Sequence, residues 1–397
     1  MKEIARFKNF VVSSNTGLSI TKEYWDEDGE VLLYTAGQKP IKTNYLDFPK
    51  ELLTTKNDIL VARNGAGAIQ LPELNSIYTD HVIRFILKPT INKIYVYFAL
   101  WNCVERIANE ANDVSLKTLS KSVWIDQAFY VPSIDEQTAI AEFLLNKCEN
   151  IDTIIAMEET IISELNEYKN QLAVHYTTKG IRETKFKQSN IDWVGEMPEH
   201  WKVLPLFAIF NEHKCKNFNM HENNLLSLSY GNIIRKDINT DEGLLPENFE
   251  SYNIVEKGDI VLRLTDMQND QRSLRTGLVR ERGIITSAYV TIRNKINAYP
   301  EYLRYLLHST DICKIIYNFG SGIRQNLTFD GLKSMPLVLP PINEQKEIAQ
   351  YLDKKYNVVD NLINIKQQKI TELKEYKKSL IYEYVTGKKE PTKGVYE

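Results

Sequence analysis

Apolar residues recur with the same period in two stretches of the chain, residues 131–178 and 339–386. The steps of three, four and seven are typical of a seam between packed helices. The seam positions are Ile151, Ile155, Ile162, Leu165, Leu172 and Tyr176 in the first stretch and Val359, Ile363, Ile370, Leu373, Leu380 and Tyr384 in the second. The pattern predicts a long helix in each stretch.

Charged residues interrupt this seam, at Glu158, Lys169, Lys366 and Lys377. The apolar pattern also breaks near residues 148–150. We therefore expect each stretch to form a short helix followed by a long one of about 28 residues, or roughly 42 Å at 1.5 Å per residue.

The two stretches are copies of each other at an offset of 208, which is 339 minus 131, and no gap is needed. Identical residues occupy Pro132/Pro340, Ile134/Ile342, Glu136/Glu344, Gln137/Gln345, Ile140/Ile348, Ala141/Ala349, Leu144/Leu352, Asp152/Asp360, Glu164/Glu372, Leu165/Leu373, Tyr168/Tyr376 and Leu172/Leu380. The period is too long for a solenoid, so it indicates a duplicated half-molecule. One copy alone would fit a helical hairpin in a larger core, whereas two copies favour helices packed on each other.

The regions that precede the copies are mixed α/β in pattern. Residues 1–130 contain candidate strands at 31–35, 58–63 and 77–87 and a candidate helix at 94–108, and residues 202–338 repeat this order at 225–230, 259–264, 283–293 and 300–319. The segments KNDILVAR (56–63) and KGDIVLRL (257–264) support their kinship. We expect two globular modules, helical repeats at 131–180 and 339–386, a polar linker at 181–201 and a loose tail at 387–397.

Composition narrows the possible partners. The 397 residues are 43% hydrophobic and 25% charged, and the net charge of -3 excludes a broadly basic DNA-binding protein while leaving room for local basic strips. The four cysteines are far apart and form no CxxC pair, as expected in a reducing compartment. No signal-peptide core and no run of 18 apolar residues is visible. These features predict a soluble, cytoplasmic protein.

Motifs for chemistry are missing from the sequence. It contains no [N/D/S]PP[Y/F] loop of an adenine methyltransferase and no GxxxxGK[S/T] phosphate loop. His213, Cys215 and His221 are read as scattered surface residues, because no second ligand pair accompanies them. The sequence therefore predicts a binding protein that has no catalytic site, metal or cofactor of its own.

Two sets of polar side chains are candidates for reading DNA, because arginine suits guanine edges and phosphates while Asn and Gln suit adenine edges. The second module offers Arg263, Gln268, Asn269, Gln271, Arg272, Arg275, Arg324, Gln325 and Asn326. The first module offers Gln38, Lys39, Lys42, Asn44, Arg63, Asn64 and Gln70. Solvated loops between strands, a turn around Pro40 and a helix C-cap at 321–327 remain the alternative interpretations.

The segments LPPINEQKEIAQYLD, WVGEMPEHWKVLPL and SGIRQNLTFDGLKSMPL, in this arrangement, resemble the specificity subunit of type I restriction–modification systems. The resemblance covers essentially the whole chain, although the usual GxxPxxW lead-in precedes only the second module. It implies an α+β fold with a pseudo-two-fold repeat, in which two target-recognition domains alternate with two long helices packed as an antiparallel coiled coil. The helical residues expected to build the seam or meet partners are Ile155, Ile162, Leu165, Leu172, Ile363, Ile370, Leu373 and Leu380.

The resemblance also implies the partners. Each recognition domain would read one half of a bipartite site in double-stranded DNA, and the helices would bind two methyltransferase subunits. S-adenosylmethionine would be bound by those subunits, and separate restriction (motor) subunits would cleave unmodified DNA. Two rival hypotheses are a coiled-coil scaffold that joins two ligand-binding modules without nucleic acid, and a self-contained restriction enzyme with a diverged nuclease centre.

Overall fold

The computed structural model describes residues 3–63, 68–110, 119–238, 248–265, 267, 274–319 and 327–390, without the side chains at 105, 106 and 108–110. The chain divides into two compact units. Unit 1 comprises residues 1–159 and 367–397, and unit 2 comprises residues 160–366. Both long helices contribute a segment to each unit.

Unit 1 contains the first module. Its strands are β1 Ile4–Arg6, β2 Val11–Thr16, β3 Val31–Tyr34, β4 Ile41–Thr43, β5 Asp58–Ala62, β6 Ile69–Gln70, β7 Ile77–Tyr78, β8 Val82–Leu87 and β9 Ala128–Tyr130. The helices are α1 Lys93–Glu110, α2 Lys121–Ile125 and the beginning of α3 Ile134–Lys179, with short 3₁₀ turns at Phe7–Phe10, Lys22–Tyr24 and Lys50–Leu52.

Unit 2 contains the second module. Its strands are β10 Phe186–Gln188, β11 Glu196–Pro198, β12 Lys202–Pro205, β13 Phe210–Glu212, β14 Leu226–Ser229, β15 Asn232–Arg235, β16 Asn253–Val255, β17 Ile260–Leu262, β18 Thr276–Leu278, β19 Gly283–Ile285, β20 Val290–Asn294 and β21 Pro336–Leu339. The helices are α4 Leu206–Ile209, α5 Pro300–Ile312, α6 Phe329–Leu332 and the first part of α7 Ile342–Val385, with 3₁₀ turns at Phe218–Met220 and Ile316–Phe319.

Each module contains its own four-stranded antiparallel sheet, and the two sheets are built alike. The strand order is β2-β8-β5-β6 in the first module and β13-β20-β17-β18 in the second. Strands β5 and β17 begin at the Asp-Ile pair shared by KNDILVAR and KGDIVLRL, and the aspartate of this pair bonds an arginine on the neighbouring strand in both modules. Asp58 accepts from Arg84 Nε at 2.6 Å, and Asp259 accepts from Arg293 Nε at 2.6 Å. The duplicated α+β fold expected from the sequence is confirmed.

Two predicted strands are each divided in the structure. The prediction at 77–87 becomes β7 and β8, because Val82 N–H donates to Thr79 O at 3.0 Å and closes a turn. β7 then pairs parallel with β3, while β8 joins the four-stranded sheet. The prediction at 283–293 becomes β19 and β20, which also lie in different sheets. A continuous apolar run therefore hid a change of sheet.

The long helices are longer than the apolar pattern predicts. α3 has 46 residues and α7 has 44, and α3 continues through residues 148–150. The predicted break there is wrong. Cys148 is buried, while Asn150 lies on the exposed face and donates to Asn146 Oδ1 one turn earlier. A polar residue on the outer side of the helix had masked the periodicity. At 1.5 Å per residue α3 is about 69 Å long.

Residues 181–201 differ from the predicted polar linker. They contain the β10–β11 hairpin, in which Phe186 pairs with Pro198. Ile191, Val194, Met197 and Trp201 are buried in the core of unit 2. Trp201 also donates through Nε1 to Glu344 Oε2 at 2.9 Å. These four buried residues pack the segment against the rest of unit 2.

Candidate nucleic-acid interface and helical repeats

The apolar positions predicted for the seam between the long helices are all buried or half-buried. Ile155, Leu172, Ile370 and Leu380 are buried, and Ile162, Leu165, Ile363 and Leu373 are half-buried. In unit 1 the ring of Phe143 lies 4.6 Å from that of Tyr384, and in unit 2 the rings of Tyr176 and Tyr351 are 4.7 Å apart.

Ion pairs cross the seam at three of the charges that interrupt it, Glu158, Lys169 and Lys377. Lys377 Nζ lies 2.6 Å from Asp152 in unit 1, and Lys169 pairs with Asp360 in unit 2. These two ion pairs are equivalent under the offset of 208: Lys169 corresponds to Lys377, and Asp152 corresponds to Asp360. Within unit 1, moving from Asp152 to Glu158 moves the lysine partner back from 377 to 369, so the helix segments run antiparallel.

The outer faces of the helices carry apolar side chains that the seam does not use. They are 39–60% exposed, and they occur in pairs related by 208: Ile154/Leu362, Met157/Ile365 and Tyr168/Tyr376. Single exposed apolar residues are ordinary on a protein surface. The same chemical type at the same three positions of both copies is not explained by chance placement.

In the first module, four predicted DNA contacts lie on one hairpin. Gln38 and Lys39 are exposed in the turn between β3 and β4, while Lys42 and Asn44 are exposed on and after β4. Asn44 donates to Asp26, whereas no hydrogen bond is recorded for the Lys39 and Lys42 ammonium groups in the described part of the chain. The hairpin presents an accessible basic edge.

The remaining candidates of the first module are tied to the protein. Arg63 is half-buried and donates through Nη1 to Asp80 O at 3.1 Å. Gln70 is buried and donates through Nε2 to Gly37 O at 2.6 Å. The prediction that Gln70 contacts DNA is therefore wrong, because its amide is buried and bonds the backbone of the β3–β4 turn. Asn64 lies outside the described residues.

In the second module, Arg275 is a structural residue and not a surface contact. It has 0% exposure. Its guanidinium donates to Arg263 O at 3.1 Å, to Thr265 O at 2.9 Å and to Tyr317 Oη at 3.0 Å. The prediction that Arg275 reads DNA is corrected, because a guanidinium enclosed by these acceptors has no access to a base edge. The polar residues around Arg275 in the sequence gave no indication that its side chain is buried.

Arg263 is half-buried, and its backbone joins this network. The other predicted contacts of the second module lie outside the described residues: Gln268, Asn269, Gln271, Arg272, Arg324, Gln325 and Asn326.

The structure adds a candidate that the sequence analysis missed. The β14–β15 hairpin corresponds to the β3–β4 hairpin, because β3 pairs parallel with β7 and Leu225, directly before β14, bridges parallel to Ile284 in β19. Tyr230 at the tip of the β14–β15 hairpin is 79% exposed. Tyr230 and Gly231 both have positive φ, 44° and 79°, as a two-residue hairpin turn of this type requires. A Cβ on Gly231 would lie 2.7 Å from His308 Nε2, so only glycine fits there. The alternating segment LSLSYGNIIR, with glycine at its centre, was the available signal.

Under this turn lies a buried histidine. His308 Nε2 is 3.1 Å from Thr276 O, and burial lowers the pKa of His308 to about 3. The ring is therefore neutral at physiological pH, and Nε2 carries the proton that the carbonyl accepts. Arg280 follows β18 nearby and is exposed. Tyr230 and Arg280 both line a cleft of about 440 Å³ in unit 2.

The described residues contain no cluster of three or more His, Cys, Asp or Glu side chains suited to a metal ion. None of their helices is long and apolar enough to cross a membrane.

The chain has two modules with exposed hairpins, each joined to a copy of the long helix. This arrangement is that of a recognition protein with two binding modules. Residues 4–167 and 198–375 match the model of the type I restriction modification DNA specificity domain, and the chain belongs to this family. The resemblance noted in the sequence is thereby confirmed. As a member of this family the chain is a recognition protein without a catalytic role.

Two relatives come from Methanocaldococcus jannaschii. The type I restriction enzyme MjaVIII specificity subunit is 26% identical over 357 residues, covering 85% of this chain and 80% of the relative. The putative MjaX specificity subunit is 27% identical over 325 residues, covering 76% and 70%. A solved structure that explains complex assembly and conformational transition of the type I R-M system matches the fold with a TM-score of 0.67 at 13% identity, covering 97% of both chains.

Proposed function

We propose that this chain is the DNA-sequence specificity subunit of a type I restriction–modification complex. Each module, at 1–130 and 202–338, reads one half of a bipartite site in double-stranded DNA. The helical repeats dock two methyltransferase subunits, which bind S-adenosylmethionine, and restriction subunits join that assembly. The observation that carries the proposal is the duplication of both the module and the helix, down to the individual ion pairs.

DNA reading is supported by the two equivalent hairpins. Lys39 and Lys42 on the first can neutralise phosphates, and Gln38 beside them can bond a base edge. On the second hairpin, Tyr230 offers an aromatic ring that can stack on or wedge against bases. The hairpins share a scaffold but carry different side chains, as two readers of different half-sites require.

Docking of two identical subunits is supported by the paired outer residues of the helices. An interface needs apolar anchors that water does not reach once the partner has bound. Ile154 with Met157, and Leu362 with Ile365, supply equivalent anchors on the two copies. One surface presented twice binds one kind of subunit twice.

Selection of DNA from a random library tests the reading function. The chain and its methyltransferase subunits are incubated with the library, and the bound fraction is sequenced. We expect two short conserved blocks separated by a spacer of fixed length. Selection that yields no conserved block, with a properly folded complex, would contradict DNA specificity and favour the scaffold hypothesis.

Native mass spectrometry tests the docking surface. Ile154→Asp should remove one methyltransferase subunit, Leu362→Asp should remove the other, and the double variant should bind neither. The exposed equivalent pair Glu164 and Glu372, changed to alanine, provides the matched control and should leave two subunits bound. Full binding by the double aspartate variant would refute this location of the interface.

A further inference from the structure

Each module is fastened to the long helices by a glutamine and a tyrosine, which we call the joint. The first joint consists of Gln137 and Tyr95, and the second of Gln345 and Tyr302. All four side chains are buried. Each joint lies wholly within one unit, the first in unit 1 and the second in unit 2.

The glutamine connects the start of the long helix with the start of the module's own helix. Gln137 Nε2 donates to Pro132 O at 2.9 Å, and its Oε1 accepts from the N–H of Asn92, directly before α1, at 2.9 Å. Gln345 repeats both bonds, donating to Pro340 O at 2.8 Å and accepting from Tyr299 N–H, directly before α5, at 2.7 Å. One side chain must both donate and accept here, which an amide does and an ionised carboxylate does not.

The tyrosine connects the module with the end of the other long helix. Tyr95 Oη lies 2.5 Å from Tyr130 O in β9 and 3.4 Å from Val385 O, the last residue of α7. Its proton is directed mainly to the nearer carbonyl. The last carbonyls of a helix have no partner within the helix, so the hydroxyl also offers Val385 O a nearby donor.

The second tyrosine makes the equivalent contacts. Tyr302 Oη lies 3.2 Å from Val338 O in β21 and 3.3 Å from Thr177 O in the last turn of α3. Burial raises the pKa of both Tyr95 and Tyr302, so both hydroxyls keep their protons and remain donors.

The two joints agree far more closely than the modules do. The partners Pro132/Pro340, Gln137/Gln345, Tyr130/Val338 and Thr177/Val385 are related by 208, and Asn92/Tyr299 and Tyr95/Tyr302 by 207. The backbone acceptors are the same atoms even where the residue type differs. What the two halves share in detail is therefore the attachment of module to helix, while the hairpins at the modules' surfaces differ.

We propose that Gln137, Tyr95, Gln345 and Tyr302 are positioning residues that fix the direction in which each module leaves the helices. Resting on the proposed function, this assigns to the joints the selection of spacer length in the bipartite site. A module held at three points, by the start of one long helix, the preceding strand and the end of the other long helix, has little freedom to pivot. A loosened joint lets the module reach half-sites at neighbouring spacings without changing which bases it reads.

The test uses Tyr95→Phe and Tyr302→Phe, alone and together, in the complete complex. Each change removes one oxygen and keeps the ring, so the core packing is preserved. Affinities are measured for the selected site and for sites with one base pair more or fewer in the spacer. The preference for the correct spacer should fall by about fivefold for each lost hydrogen bond, and the half-site sequences should stay the same. Tyr97→Phe, on the same helix and with no hydroxyl bond recorded in the described structure, is the matched control and should behave as wild type.

A second measurement does not depend on DNA affinity. Donor and acceptor dyes are placed on the two modules, through Lys39→Cys in the first and the exposed Cys215 in the second. The distribution of transfer efficiencies is then measured without DNA. The double phenylalanine variant should broaden the distribution. Gln137→Met with Gln345→Met should broaden it further, provided that circular dichroism shows native helix content.

The outcomes separate the two proposals. Absence of any half-site preference in the wild-type complex would contradict the proposed function. A wild-type complex with a sharp spacer preference, combined with phenylalanine variants of unchanged spacer preference and unchanged transfer distribution, would overturn the role of the joints. A lower melting temperature with the same spacer preference would also overturn it, since it would show that the joints only stabilise the fold.

Discussion

Replacement of Arg275 by alanine separates a structural arginine from a reading arginine. The side chain is enclosed within unit 2 and donates to two carbonyls and one hydroxyl. The backbone N–H of Arg275 donates to Asp311 Oδ2 at 2.7 Å, a bond that alanine retains. The substitution therefore removes the guanidinium and leaves the carbonyl oxygens of Arg263 and Thr265 without these donors.

The expected loss of stability follows from those bonds. A hydrogen bond from a charged donor contributes about 1.5–3 kcal/mol, and buried acceptors left without a donor add a desolvation cost. Part of the sum is offset because the charge no longer has to be buried. We expect the free energy of unfolding of unit 2 to fall by about 3–5 kcal/mol. For a domain of this size, that corresponds to a melting temperature lower by roughly 10 °C.

Thermal unfolding followed by circular dichroism measures the loss, and library selection at 20 °C measures reading. Arg275→Ala should melt early and yet select the same half-sites as wild type while folded. Arg280→Ala is the matched control, because Arg280 is exposed five residues further along and should leave the melting temperature unchanged. An Arg275→Ala variant of wild-type stability that loses preference at one base position would show that the arginine reads DNA, and the reasoning from burial would be wrong.

Three further predictions concern the helices and the buried histidine. Ile370→Asp places a charge at a buried seam position and should destabilise the helix pair by more than about 3 kcal/mol in urea unfolding, whereas Ile365→Asp on the outer face should not. A heptad inserted in the middle of both long helices keeps the seam in register and lengthens each helix by about 10 Å. In a titration across spacer lengths, this variant should lose affinity for the original site. Undiminished binding would show that the helices do not set the spacing. The pKa of His308 is lower in the folded protein than in the unfolded chain, so its contribution to the free energy of unfolding is fully present above the unfolded pKa of about 6.5. That contribution is lost as the pH falls toward about 3, with a slope of up to about 1.4 kcal/mol per pH unit. His308→Gln should flatten that slope in melts between pH 7 and pH 5, and an unchanged slope would assign the pH dependence to other groups.

Much of the architecture could be predicted from the sequence, because it depends on short-range periodicity and on duplication. The apolar seam identified both long helices, since residues three and four apart share a helix face. Alternating and continuous apolar runs located the central strands β5 and β17 within a residue or two. The offset of 208 carried the information that both halves have one fold, and the segments that resemble the specificity subunits identified the family.

The tertiary structure alone decided which polar side chains are available for binding. Arg275 and Lys39 look alike in a sequence, since both are cations in polar segments. Arg275 is buried because Tyr317, 42 residues away, accepts from it, while Lys39 projects from a hairpin turn. The joints show the same limit, since Gln137 bonds the N–H of Asn92, which is 45 residues earlier. Periodicity describes neighbours along the chain, and the partner of a buried polar group is set by the packing of distant elements, so only the folded structure reveals it.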